Sequence, residues 1–385
     1  MTELHTEKKT RLHLVIRDRI LNMLIKSGCR RGDPLPSYRD MTDRFHVSLV
    51  TIQRAMDELI KDGIVRGWPG RGTFLDREVT QSGRRLTQVG LVINCARKTF
   101  FSSTYLMEIF QGVMLQCEEL NVDTRLFSIK NEGTLTPRQI AESGVDGVLL
   151  LAVNHDAYIQ ELVQEFSPVV VLDHSTEKVA TDFLVCDTQP AMDGIVAHLV
   201  KLGHRRMAFV ANWTTDTIAG LQGLNPDIES PISIERRNAF MQAMCAAGLS
   251  DSASVYELPA APLQTLTHVV DGWTKQAVRP TAIILNSAGD VGILDAEFAA
   301  RGVRVPHDIS LAAVAGTGSE GISGGKVVTY QRVHFIEMGR QAVSILSERC
   351  AELRPMSSKL WRIGADFIEG GTTGACRVPS DTGDM

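Results

Sequence analysis

Residues 35–75 read LPSYRDMTDRFHVSLVTIQRAMDELIKDGIVRGWPGRGTFL, and this stretch decides the fold of the N-terminal end. Ser37 is a good helix N-cap, and Asp40 three residues later places a carboxylate in the first turn, a variant of the capping box. Phe45-His46-Val47-Ser48 breaks that helix, and Ser48 caps the next one, predicted over Leu49–Asp62 and ended by Gly63. Upstream, Leu12, Val15, Ile16, Ile20, Leu21, Leu24 and Ile25 recur every three or four positions, so Arg11–Ile25 is an amphipathic helix stopped by Ser27-Gly28. After Gly63, Ile64–Trp68 and Arg71–Leu75 alternate like two strands around Pro69-Gly70. Two short helices across a tight turn and then a hairpin make a winged helix-turn-helix. Its last helix would offer Ser48, Leu49, Thr51, Ile52 and Gln53 to a major groove, and the wing tip would set Arg71 and backbone amides against phosphate or the minor groove.

The same run resembles the GntR-family winged helix in the order of LPS, VS-x-x-T, A-x-x-x-L, G and GRGTF. The resemblance covers about the first 75 residues. It implies that Ser37, Tyr38 and Arg39 meet the DNA backbone, that Thr51 and its neighbours through Arg54 enter the groove, and that Gly70, Arg71, Gly72 and Thr73 form the wing contact. Two positions depart from the pattern. Leu49 and Gln53 stand where arginine is usual, so phosphate contacts are fewer, and Gln53 can read an adenine bidentately.

Asp76–Thr87 is polar and without apolar periodicity, a tether. Beyond it the pattern changes to strands alternating with helices: Val89–Ile93, then a helix over Leu106–Leu120, then Thr124–Ile129, Asp146–Val153, Pro168–Leu172 and Phe183–Cys186. A helix over Ala191–Leu202 and a strand at Met207–Val210 open a second series, with strands near Ala282–Leu285 and Leu311–Ala315. This alternation predicts an α/β fold of parallel sheets flanked by helices, and its length exceeds one such sheet, so two lobes are expected. Ligands of open parallel sheets sit at the carboxyl ends of the strands, here the cleft between the lobes. The resulting division is a head at 1–75, a linker at 76–87, a two-lobed body at 88–372 and a disordered tail at 373–385.

Several local stretches carry a second resemblance. HLVKLGHRRMAF (198–209), SIERRNAF (233–240), the loosely matching Asn286–Gly292, RVPHDIS (304–310), EMGRQA (337–342) and FIEGGT (367–372) resemble motifs of the LacI/GalR effector domain. That domain has the type-1 periplasmic-binding-protein fold, in which three strands cross between lobes, and it commonly dimerises and binds sugars. The crossings are placed near Gln189, Gly318 and Arg354. A GntR head on such a body resembles arabinose-repressor-type regulators and implies control of carbohydrate use. Arg236 matches an arginine that donates to ligand oxygens, a task suited to a guanidinium fork. Asn286 aligns with a paired donor and acceptor. Phe101 or Tyr105 after the first strand can stack on an apolar sugar face, while His174 and Asp187 follow strands at the cleft. Ala315 occupies the position of the family's sugar-binding Asp, and Ser287 replaces another Asp. Two missing carboxylates point to an anionic or less hydroxylated ligand.

Composition narrows the alternatives. Hydrophobic residues at 44% and charged residues at 22% suit a globular chain, and the longest apolar runs are too short to span a bilayer. Met1–Arg11 lacks the apolar core of a signal peptide, so a cytoplasmic protein is expected. Residues 1–85 carry 17 Lys and Arg against 11 Asp and Glu, whereas the rest carry 23 against 34, so the basic end is the one expected to meet a polyanion. Seven cysteines are scattered without metal spacing. No P-loop, HExxH or GxSxG occurs, so no catalytic residue, cofactor or metal is assigned. The expected function is a homodimeric, ligand-responsive regulator, most simply a repressor, binding double-stranded operator DNA and a sugar or sugar derivative. The alternative is a small-molecule-binding or dimerisation protein with a degenerate DNA or ligand site.

Overall fold

The computed structural model describes residues 29–68, 71–76, 86–129, 135–211, 231–257, 270–273, 279–318, 322–323, 325–351 and 358–377, with scattered positions between 13 and 27. Pro69 and Gly70, most of the tether, Arg354 and residues 378–385 lie outside the described residues.

In the head, described residues between His13 and Leu24 are helical, and Ile16, Ile20, Met23 and Leu24 pack against the two helices that follow. Helix α1 (Tyr38–Phe45) begins with the expected box: Asp40 N donates to Ser37 Oγ at 3.2 Å, and Ser37 N donates back to Asp40 Oδ2 at 3.2 Å. Helix α2 (Leu49–Lys61) is capped by Ser48, whose Oγ accepts from Thr51 N at 3.3 Å. Its core stripe is Ile52, Ala55, Met56 and Leu59. Strands β1 (Val65–Trp68) and β2 (Gly72–Leu75) pair antiparallel as the wing.

The body contains two six-stranded sheets. The first has the order β15-β7-β6-β5-β3-β4, all parallel, from β3 (Gln88–Ile93), β4 (Asp123–Ser128), β5 (Gly147–Leu151), β6 (Val169–Leu172), β7 (Asp182–Cys186) and β15 (Leu360–Ile363). Helices α3 (Arg97–Ser102), α4 (Thr104–Leu120), α5 (Pro137–Ala141), α6 (Asp156–Glu165) and α10 (Phe335–Ala351) accompany it. The second has the order β16-β14-β11-β10-β8-β9, from β8 (Met207–Ala211), β9 (Ala253–Glu257), β10 (Ala282–Leu285), β11 (Ser310–Gly316), β14 (Thr329–Val333) and β16 (Ala365–Ile368). Helices α7 (Thr188–Lys201), α8 (Pro231–Ala246) and α9 (Ala288–Ala299) go with it, and β12 (Ile322–Ser323) and β13 (Lys326–Val327) form a small hairpin. Runs such as GVLLL and VVVL are apolar throughout because both sheet faces are covered. Leu149 and Leu151 join one core, and Val148 and Leu150 the core on the other side.

The chain passes between sheets at Asp187, at His334 and at Gly364. The first crossing agrees with the expectation near Gln189; the other two correct those placed near Gly318 and Arg354. The glycine-bearing loop after β11 turns into the β12–β13 hairpin and returns as β14 in the same sheet, so the chain leaves only beyond Val333. The crossings lie side by side: Asp187 N donates to Ile363 O at 2.7 Å and His334 N to Gly364 O at 3.4 Å.

The expected disordered tail is also corrected over its first part. Thr373 Oγ1 meets His198 Nε2 at 2.9 Å and Thr329 Oγ1 at 2.8 Å, Gly374 O accepts from His204 Nε2 at 3.0 Å, and Cys376 N donates to Leu202 O at 2.8 Å. Residues 373–377 therefore lie across the second lobe, held by polar groups that burial would otherwise leave unpaired. None of the seven cysteines is in a disulfide. No helix among the described residues is long and apolar enough to cross a membrane.

Helices α4 and α10 touch backbone to backbone where Gly112 and Gly339 face each other. A Cβ on Gly112 would stand 1.9 Å from the carbonyl oxygen of Ile336, and one on Gly339 would stand 2.0 Å from that of Ile109. Gly112→Val should therefore force the helices apart and cost about 1–3 kcal/mol, read as a lower urea midpoint. An unchanged midpoint would mean the pair does not approach this closely.

Candidate functional site

Two surfaces bear chemistry. On the head, the N-terminal end of α2 presents Ser48, Leu49, Gln53 and Arg54 to solvent, with Thr51 half-buried and hydrogen-bonded to Ser48 Oγ at 2.8 Å. Ser37 and Arg39 are exposed at the start of α1, while Tyr38 is half-buried against the head core. Arg71 and Gly72 are exposed at the wing and Thr73 is half-buried beside them. Ile52 corrects the expectation. It is fully buried, because one helical turn back from Ala55 and Met56 it falls on the core stripe and cannot face a groove. Gly70 lies outside the described residues.

The second surface is the cleft. A cavity of about 310 Å³ opens between the ends of β6 and β7 on one lobe and the first turns of α8 on the other, with Asp173, His174, Glu235 and Arg236 in its walls. A smaller hollow shares Arg236 and adds Asp187 and Ala315. Four of the expected ligand residues (His174, Asp187, Arg236 and Ala315) therefore converge. Arg236 Nη1 donates to the backbone oxygen of Asn286 at 3.1 Å, which places Asn286 behind it. Asn286 is 9% exposed, and its Oδ1 has no hydrogen-bond partner among the described residues.

Tyr105 takes a different part from the stacking role expected: its hydroxyl donates to Asp173 Oδ2 at 3.2 Å and so orients that carboxylate. Phe101 is 53% exposed and packs edge-on against Phe100 and Phe110 rather than lining the cavity. Its place on a short helix, one turn beyond the strand end, turns it outward. His174 is buried, with Nε2 3.2 Å from Asp156 Oδ1.

Sequence reasoning missed three residues. Asp173, in a left-handed conformation with φ +59°, follows the last residue of β6 and directly precedes His174. Burial pushes its carboxyl up to about 6, against the opposing pull of Arg236 and the Tyr105 hydrogen bond. The strand-end rule that selected His174 contained the signal for it. Glu235 adjoins Arg236 on α8. Arg362 on β15 of the first lobe reaches Glu235 Oε1 at 3.4 Å and Asp187 Oδ1 at 3.7 Å, so it links the lobes across the first crossing. No local pattern marked Arg362, since an edge-strand arginine reads as solvent-facing. Asp173, Asp187 and Glu235 set three carboxylates beside two guanidinium groups. That charge balance offsets the missing aspartate at Ala315 and does not favour the anionic ligand expected from it. Cys186 lines the same cavity, but burial pushes its thiol up to about 12, so it stays protonated and is a poor nucleophile. Among the described residues no group of three or more His, Cys, Asp or Glu is arranged to hold a metal ion.

Comparison with known proteins matches both parts. Residues 12–75 match the family described as bacterial regulatory proteins, gntR family, and residues 196–373 match the periplasmic binding protein-like domain. An HTH-type transcriptional regulator of Mycobacterium tuberculosis is 28% identical over 183 residues, 45% of this chain and 50% of that protein, so the match spans about half of that relative's length. The arabinose metabolism transcriptional repressor of Geobacillus stearothermophilus is 22% identical over 327 residues, 79% of this chain and 82% of the relative. Among solved structures, the CelR–cellobiose complex covers 85% of this chain and 91% of its own at TM-score 0.60 and 19% identity. A LacI family regulator from Bifidobacterium animalis covers 75% and 98% at TM-score 0.59 and 20% identity. One chain thus carries a segment similar to gntR-family regulatory proteins, at 12–75, and another similar to periplasmic binding protein-like domains, at 196–373. Its two-lobed body has the fold of LacI-type regulators.

The cleft carboxylate gives a pH prediction. With its folded value raised to about 6 from the ordinary 3.8, Asp173 favours the folded state while protonated and loses that advantage as pH rises through about 4 to 6. Asp173→Asn removes the charge. The melting midpoint of the variant should therefore gain on that of the parent between pH 4.5 and pH 7, followed by thermal shift in a buffer series. A pH-independent difference would show that the carboxyl is not held in its neutral form.

Proposed function

We propose that this chain is a ligand-responsive transcription regulator, a repressor of carbohydrate-use genes acting as a cytoplasmic homodimer. The head at 1–75 binds operator DNA, the segment at 76–87 tethers it, and the body from 88 onward binds a sugar or sugar derivative. The observation that carries this reading is the joining, in one chain, of an exposed helix-turn-helix edge to a cleft whose polar walls come from different lobes: Asp173 from the first, Arg236 from the second. The names of the arabinose repressor and of the cellobiose complex support the same class of effector.

In this reading Ser37, Tyr38, Arg39 and Arg54 hold phosphates, Thr51 and Gln53 face base edges with Leu49 beside them, and Gly70–Thr73 of the wing flank the groove. A sugar hydroxyl between the lobes would meet Arg236 as a donor and Asp173 as an acceptor, and would supply Asn286 Oδ1 with a missing partner. Ligand and closure are coupled because closing moves α8 toward β6 about the three crossings. The dimer converts the lobe angle into the spacing of two heads on two half-sites. Coupling of this kind is reciprocal and about 1–3 kcal/mol.

The test is fluorescence polarisation of the purified chain on DNA from its own upstream region at several salt concentrations. Tight, sequence-dependent binding with a steep salt slope is expected. Gln53→Ala should cost about 1–3 kcal/mol on the specific site and little on random DNA. A panel of pentoses, hexoses and disaccharides should then shift the operator affinity, and Arg236→Ala should abolish that shift while leaving DNA binding intact. Binding no tighter than to random DNA would overturn the regulator reading in favour of a small-molecule-binding or dimerisation role.

A further inference from the structure

The outer face of the wing carries side chains that the helix-turn-helix reading leaves unused. In the β1–β2 register, Val65 pairs with Leu75 and both are buried in the head core. Side chains alternate across a strand, so Arg66, opposite Phe74, and Trp68, opposite Gly72, fall on the other face. The loop before α1 lies along the free edge of β2, where Gly32 N donates to Leu75 O at 2.7 Å, Leu35 N donates to Thr73 O at 2.8 Å and Pro34 bridges Phe74. That pairing brings Arg31 beside the hairpin. The result is a concave surface of about 320 Å³ walled by Arg31, Arg66, Trp68, Arg71 and Phe74, with Asp76 the one carboxylate among the described residues that line it. Asp76 Oδ2 stands 3.0 Å from Arg66 and its Oδ1 3.9 Å from Arg31, which holds the two guanidinium groups over the hollow and leaves a positive excess. The indole of Trp68 is 50% exposed.

We propose that this hollow is a second DNA-contact subsite, taking one backbone phosphate and its deoxyribose beside the groove that the wing tip enters. The proposal rests on the DNA-binding reading above and extends it to Arg31, Arg66 and Trp68, which that reading does not use. Three arginines against one aspartate suit a phosphodiester, for which a guanidinium offers forked donors. An aromatic face supplies apolar area for the sugar, and its indole N–H is a further donor. The position supports DNA as the occupant. Arg71 N donates to Trp68 O at 3.0 Å, so the hollow is continuous with the turn that closes the wing, and its partner strand carries Gly72 and Thr73. Such contacts set orientation and register rather than sequence choice. They would offset the weaker hold on phosphate at the recognition helix, where Leu49 and Gln53 stand in place of arginines.

Two variants test this on the full-length protein, each checked for unchanged helix content and melting. Arg66→Gln should weaken operator and random DNA alike, by roughly ten- to hundredfold, and should reduce the slope of log K against log salt by about 0.9, the share of one phosphate. Arg66→Lys should restore the slope. Operator DNA should quench tryptophan fluorescence in the parent, and Trp68→Phe should remove most of that quenching. An unchanged salt slope in Arg66→Gln, or quenching that persists in Trp68→Phe, would overturn the subsite while leaving the parent's operator binding in place. A parent that does not bind its operator would overturn the DNA reading and this inference with it.

Discussion

Three chain crossings held side by side constrain the rest of the body. Asp187, His334 and Gly364 pass between the two six-stranded sheets, and the backbone bonds Asp187 N to Ile363 O and His334 N to Gly364 O bind them into one narrow strip. Asp366 adds a charged tie, at 2.7 Å from Arg332 and 3.1 Å from His334. Each lobe is covered on both sheet faces and is rigid by packing. The buried pair Arg349–Asp182 secures α10 to β7, and the same carboxylate accepts from Lys359 N at 2.9 Å, which fixes where β15 begins beside the first crossing.

The cleft is built from groups that are each costly alone. Asp173 is half-buried at the cavity wall in a left-handed conformation, and the nearby Arg236 and Tyr105 partly offset its desolvation. Arg236 in turn gives a donor to Asn286 O, and Arg362 spans Glu235 and Asp187. Because these partners come from different elements and different lobes, their spacing depends on the lobe angle. A ligand that contacts Asp173 and Arg236 together therefore acts on the angle itself. In the function proposed above, such a ligand would gain a differential energy between lobe angles.

The head is organised differently. Its core is a small cluster of aliphatic side chains, and its surface edges carry the polar groups. Caps at Ser37 and Ser48 start the two helices, with Arg39 exposed after the first and Leu49, Val50, Gln53 and Arg54 exposed after the second. The wing's two faces divide labour in the same way. Val65 and Leu75 face the core, while Arg66 and Trp68 face solvent.

Local chemistry made much of this legible in the sequence. The crossing near Gln189 came from the family resemblance, while both caps, the hairpin, and the alternation of strands and helices followed from period, capping residues and turn residues. These are interactions within a few residues, so the sequence carries them directly. The phase of α2 was also available: Ile52, Ala55, Met56 and Leu59 trace one stripe, and placing Ile52 in the groove overlooked it. What the sequence alone did not determine were the second and third crossings, the pinning of residues 373–377, and the meeting of Asp173, Glu235 and Arg362. Those depend on which strand pairs with which across distant parts of the chain, as when β15 pairs with β7 and β16 with β14. Register between distant strands is chosen by the burial of whole faces, and only the folded chain makes that choice.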